Sequence, residues 1–283
     1  MILPRLVLLA LLAAAPPLAA ETLAPLPEAG ESAAELATVM QLDALFEVLR
    51  EEGLAHGRRL EADMFPGRGG AAWEETVSLI YDLDRLRSGF NDTLMQTLGP
   101  DPAVQDEIMA FFGSDLGQRI LRQEVEARRA FLDTASEEAA RVAADDAAAA
   151  RDPKVALIRR MIEAADLLEG NVAGSMTGNL AFMTGMAESG AYGRVMPESE
   201  ILSDIWSREE QIRTDSATWL YAYLGLAYAP LTEAELQSYV AFWETPAGKR
   251  LNGALFAAFD RVFRPVSYEL GRAAGQAMLG RDI

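Results

Sequence analysis

Apolar positions recur along this chain at spacings of three and four and almost never at two. Leu36, Val39, Met40, Leu42, Leu45, Phe46 and Leu49 form one such stripe, the pattern of a helix with one buried face. Residues 115–150 are rich in Ala, Glu and Arg, with Leu116, Ile120, Val125 and Phe131 as a partial stripe, and strong helix formers in that density predict helix. No run alternates β-branched with polar residues, so strands are not expected. Residues 217–231 are apolar on every side, but the stretch is too short to span a bilayer and reads as a buried core helix. Pro153, Pro197, Pro230, Pro246 and Pro265 punctuate the second half. The expected fold class is all-α, a helical bundle.

The chain also matches itself. Ala110-Phe111-Phe112-Gly113-Ser114-Asp115-Leu116-Gly117-Gln118-Arg119-Ile120 aligns with Ala241-Phe242-Trp243-Glu244-Thr245-Pro246-Ala247-Gly248-Lys249-Arg250-Leu251. Each copy has a helix start upstream. Thr232 with Glu235 makes a capping box, and Asp101 caps with Pro102 at the first helical position. Each then runs to a pair of aromatics, stops, and restarts at Ser114 or Thr245. Gly117 and Gly248 fall in the new first turn, where a missing Cβ lets another helix come close. A weaker match of Ala44-Leu45-Phe46 with Ala156-Leu157-Ile158 places extra residues of the second copy in the Gly- and Met-rich stretch 171–196. Two related helical units are therefore expected, residues 31–150 and 151–283.

The second copy, Leu231-Thr232-Glu233-Ala234-Glu235-Leu236 followed by Ala241-Phe242-Trp243-Glu244-Thr245-Pro246-Ala247-Gly248, resembles the bacterial domain of unknown function 2059 family, around residues 231–262. The first copy has Asp115 where that family has Pro, so it is similar to a diverged copy. The resemblance implies an exported all-α protein and carries no catalytic or ligand residue with it.

Residues 1–20 read as an export signal. Arg5 supplies the positive charge, residues 6–15 are uninterruptedly apolar, Pro16 and Pro17 break the run, and Leu18-Ala19-Ala20 offers small residues for cleavage after Ala20. The expected location is the periplasm, with no membrane span once the signal is removed. A formal charge of −18 argues against nucleic acid, whose phosphates need a basic surface. With no Cys and a single His, disulfides, thiol catalysis, iron–sulfur clusters and multi-His metal sites are excluded.

Individual chemical candidates are weak. Glu52 lies four residues before His56, a metal-ligand spacing, but Gly53 and Gly57 make a frayed helix end the better reading. Ser175 lacks the upstream glycine of a nucleophile elbow, and Gly248-Lys249-Arg250 lacks the remainder of a phosphate loop. Asp82-Leu83-Asp84 fails as a calcium loop because Arg87 and Thr93 stand where Gly and Glu are required. The acidic pairs Glu74-Glu75, Glu137-Glu138, Asp145-Asp146 and Glu209-Glu210 read as solvated faces. Glu188-Ser189 with its following glycines carries too little of a peptidoglycan-cleaving pattern, and Gly190 reads as a helix C-cap.

Met176, Met183, Met186 and Met196 fit a copper site less well than an adaptable core or groove. A groove lined by Met183 and Met186, beside Trp219, Tyr221, Tyr223 and Tyr228, is the expected ligand or partner surface. No catalytic, cofactor or metal residue is assigned. The leading expectation is a non-enzymatic binding or interaction module of the cell envelope, with an envelope protein or a small apolar ligand as partner. The alternatives are a carboxylate-dependent hydrolase or lyase acting on envelope polymer, marked by a buried Glu of raised pKa in a concave pocket, or a cation- or copper-binding protein.

Overall fold

A computed structural model describes residues 29–281, and the export signal assigned to residues 1–20 lies outside them. The first half carries α1 (Ala29–Val39), α2 (Leu42–Met64), α3 (Gly70–Ile80), α4 (Leu83–Leu98), α5 (Pro102–Phe112), α6 (Asp115–Ala130) and α7 (Thr134–Ala150). The second carries α8 (Pro153–Ala164), α9 (Leu167–Ser189), α10 (Glu198–Trp206), α11 (Glu209–Tyr228), α12 (Glu233–Glu244) and α13 (Pro246–Met278). Among the described residues there is no strand, and no helix is long and apolar enough to cross a membrane. The fold is all-α.

Polar caps set most of the boundaries. Asp82, Asp101, Ser114, Asp133, Asp152, Thr232 and Thr245 each accept a hydrogen bond from a backbone N–H of the following first turn. Glu235 completes the capping box with Thr232. Pro102, Pro153 and Pro246 open their helices, and Gly190 closes α9 at φ 85°.

Two boundaries differ from the periodic pattern. The stripe from Leu36 to Leu49 is broken at Gln41, whose backbone is left-handed at φ 52°. Gln118 of α6 holds that break: Gln41 Nε2 donates to Gln118 Oε1 at 2.9 Å, and Gln118 Nε2 donates to the Val39 carbonyl at 2.7 Å. Pro265 punctuates nothing, because α13 runs through it. Val262, Phe263 and Val266 are buried on both sides, and that packing outweighs the ~3 kcal/mol an interior proline costs.

The core is one apolar cluster drawing on both halves, from Leu36 to Ala277. α13, 33 residues long, runs through it and packs on α9 and α4. The glycine-rich stretch 171–196 is mostly α9, and its glycines make the α9–α13 contact. A Cβ on Gly271 would lie 2.0 Å from the Phe182 carbonyl oxygen, and one on Gly185 would lie 2.2 Å from that of Tyr268.

The two aromatic pairs meet each other. Phe111 stacks on Phe242 at 4.5 Å, while Phe112 stands edge-on to Phe242 at 5.1 Å and to Trp243 at 6.1 Å. The helix restarts beside them are built alike. Gly117 N–H donates to Ser114 Oγ at 3.1 Å, and Gly248 N–H to Thr245 Oγ1 at 3.0 Å. A Cβ on either glycine would strike the end of the preceding helix, 2.3 Å from Phe111 O or 2.2 Å from Phe242 O. These glycines make room for the chain just before them rather than for a distant helix.

Candidate functional site

A pocket of about 410 Å³ opens between α2, α6, α7, α11 and α13. From α2 it receives Glu52, Ala55, His56 and Arg59, which share a face through three- and four-residue spacing. That face is placed by the two glycines flanking His56. A Cβ on Gly53 would sit 2.3 Å from the Tyr81 ring, and one on Gly57 would sit 2.8 Å from Val77. The Gly57 carbonyl also accepts a hydrogen bond from Trp73 Nε1 at 2.8 Å. The segment is therefore the interior of α2 pressed against α3, not the frayed helix end its sequence resembles. Glycine's cost in a helix is recovered here by tertiary packing.

Arg128 of α6 reaches back to Glu52, with Nε 2.7 Å from Oε1 and Nη2 2.9 Å from Oε2. Burial opposes its charge and the Glu52 carboxylate restores it, so the guanidinium pKa ends above its ordinary value. The carboxylate four residues before His56 thus serves an arginine, and no metal pair forms. Among the described residues no group of three or more His, Asp or Glu side chains is placed to hold a metal. On α7, Glu137 pairs with Arg141, so it is a pocket residue as well as half of an acidic doublet. On α11, Asp215 accepts from Gln211 Nε2 at 2.9 Å.

The opposite wall is aromatic. Trp219 stacks on Tyr223 at 4.6 Å, and Phe131 meets Trp219 edge-on at 5.6 Å. Leu132, Leu270 and the buried Ser267 complete the lining.

His56 is 6% exposed, and its Nε2 has no hydrogen-bond partner among the described residues. Burial first, and the Arg59 charge second, push its pKa from 6.5 down to about 3. The imidazole is neutral at physiological pH. Arg59 is exposed at the mouth and has no ion-pair partner among the described residues.

Sequence reasoning missed a second polar centre. Glu124 Oε1 accepts from Tyr228 at 2.7 Å and Tyr239 at 2.9 Å, and the Glu124 carbonyl accepts from Tyr223 at 3.0 Å. Burial pushes this carboxyl up while the tyrosines pull it down, and it ends above its usual value. It lines an interior apolar cavity of about 90 Å³, far below the ~300–1,000 Å³ of ligand sites. Through these bonds it ties α6 to α11 and α12. Only the tyrosine spacing on α11 hinted at such a polar anchor.

The other sequence candidates lie elsewhere. Ser175 is within α9, and Lys249 is exposed in the first turn of α13. Asp82 caps α4, and Glu188 accepts from the Tyr268 hydroxyl at the surface. Met186 is buried in the core, and Met183 is half-buried. Of the expected groove, Trp219 lines the pocket described here, while Met183 and Met186 do not.

Residues 84–145 match the family described as "Uncharacterized protein conserved in bacteria (DUF2059)". This is the family the aromatic motif resembles, and the match runs from α4 into α7, over the first copy of the motif rather than over residues 231–262. No curated protein and no solved structure matches the chain.

Proposed function

We propose that the protein is an exported, non-enzymatic binding module of the bacterial cell envelope whose ligand occupies the pocket between α2, α6, α7, α11 and α13. The observation that carries this reading is the pocket itself. It has ligand-site volume, an aromatic wall, and beside it a buried imidazole nitrogen left without a partner among the described residues. Two of its carboxylates, Glu52 and Glu137, are each neutralised by an arginine, an arrangement suited to holding a ligand rather than to protonating one. The apolar run of residues 6–15 behind Arg5 supports export, with cleavage after Ala20.

In this reading the body of the module is two related helical units packed face to face. Reciprocal ion pairs support it. Arg119 pairs with Glu235 in the capping box of α12, and Arg250, its counterpart in the self-match, pairs with Asp101, the cap of α5, at 3.3 Å.

The test is photo-crosslinking in living cells from Thr134, at the pocket mouth, with exposed Glu74 of α3 as control position. The intact mass of the recovered protein reads signal cleavage and crosslink together. A chain beginning at residue 21 that carries a Thr134-specific adduct is the expected result. Equal labelling from both positions, or none, refutes the binding role.

A further inference from the structure

Resting on that reading of the pocket, we infer that its ligand is an amphipathic monocarboxylate, held by Arg59 of α2 with its apolar body against Phe131 and Trp219. The argument begins with charge. The chain carries −18 overall, yet the pocket gathers Arg59, Arg128 and Arg141 against Glu52, Glu137 and Asp215. Two of the arginines are spent on carboxylates of the pocket itself, Arg128 on Glu52 and Arg141 on Glu137. Arg59 is the cation that the described residues leave without an ion pair.

Geometry places a neutral neighbour beside it. His56 precedes Arg59 by three residues, so the two side chains share a helix face, and both line the pocket. The imidazole Nε2 meets neither donor nor acceptor among the described residues and is itself closed off from the pocket space. A neutral imidazole does not compete with the Arg59 charge, and the guanidinium fork alone presents two N–H groups that match the two oxygens of one carboxylate.

The rest of the lining sets the remainder of the ligand. Phe131, Leu132, Trp219 and Leu270 present apolar surface, which takes a hydrocarbon or aromatic body. With Arg128 and Arg141 paired to Glu52 and Glu137, Arg59 leaves one positive charge to be met, so one negative charge on the ligand is favoured over a multiply charged anion. A free aromatic acid and the C-terminus of a peptide share this chemistry.

Calorimetric titration of the full chain with two probe pairs distinguishes these sources. One pair is indole-3-propionate and its amide, and the other is N-acetyl-Ala-Trp and its C-terminal amide. In at least one pair the acid should bind roughly tenfold tighter than the amide, and the winning pair names the source. Arg59→Gln, at an exposed position, should bring that ratio close to one chiefly by weakening the acid, and Arg59→Lys should restore part of it.

Equal affinities for acid and amide, no binding of any probe, or displacement of the bound acid by inorganic phosphate overturns the inference. A Thr134-specific adduct in cells alongside any of these leaves the pocket a ligand site of other chemistry. Absence of that adduct removes the binding role itself.

Discussion

Replacing His56 with leucine should flatten the acid side of the protein's stability profile. The imidazole is held neutral in the folded chain, with a pKa of about 3 against 6.5 for the free side chain. Between those values the unfolded chain binds a proton that the folded chain does not. Stability from this group is therefore complete above pH ~6.5 and falls as the pH drops toward 3. One proton is worth ~1.4 kcal/mol per pH unit. Wild type should lose about 2 kcal/mol relative to His56→Leu between pH 7 and pH 5, and about 3 kcal/mol by pH 4. Near pH 7 the variant should be as stable as wild type or slightly more so, because leucine has similar volume and carries no unpaired buried nitrogen.

Urea unfolding followed by circular dichroism at pH 7, 6, 5 and 4 measures this as the difference between the two chains. Taking the difference matters because Glu124 works in the opposite direction. Its folded pKa is raised, so the folded chain takes up that proton first and gains stability on acidification, equally in both proteins. Arg59→Gln should leave most of the His56 slope in place, since burial outranks the Arg59 charge among the causes of the shift. A wild type and a His56→Leu variant that run parallel within about 0.5 kcal/mol from pH 7 to pH 4 would refute the reasoning, because an imidazole that costs nothing to charge is not desolvated.

Four further substitutions, at three positions, probe the framework. Gly117→Ala and Gly248→Ala each place a methyl group 2.2–2.3 Å from a carbonyl oxygen of the preceding helix, and each should cost about 2–3 kcal/mol, seen as a drop of several degrees in thermal unfolding. Glu124→Leu leaves the Tyr228 and Tyr239 hydroxyls without their acceptor and should cost about 2–4 kcal/mol in urea unfolding. Glu124→Gln keeps an acceptor oxygen and should cost less than half of that.

What the sequence disclosed was local. Asp101, Ser114, Thr232 with Glu235, and Thr245 cap helices because a cap is a contact across two or three residues, and its chemistry is written in the residues themselves. Where a boundary depends on a distant partner, the pattern misleads. Gln41 breaks an otherwise continuous stripe because Gln118, 77 positions away, holds the turn. Gly53 and Gly57 resemble a helix end because their cost is local while the compensation, Tyr81 and Val77 against the bare backbone, is tertiary. Pro265 sits inside a helix for the same reason.

The pocket was harder still, since five helices contribute to it and its central ion pair joins residues 76 apart. The spacing of Glu52 and His56 put two residues of the pocket lining on one helix face but suggested the wrong relation between them. In a desolvated setting a carboxylate gains more from a charged guanidinium than from a neutral imidazole, so Glu52 turns to Arg128 and His56 is left to the pocket. The aromatic helix pointed nearer the mark than the methionines did. A helix apolar on every side must be covered on every side. Part of the cover on α11 is α7, whose alanines are too small to fill the space, and only Ala140 of that helix is buried. Volume remains on both flanks: the 410 Å³ pocket on one, and on the other about 560 Å³ between α7, α8 and α11, lined by Ala143, Ala144, Ala147 and Tyr221. Cavities beside α11 follow from pairing a large-residue helix with a small-residue one.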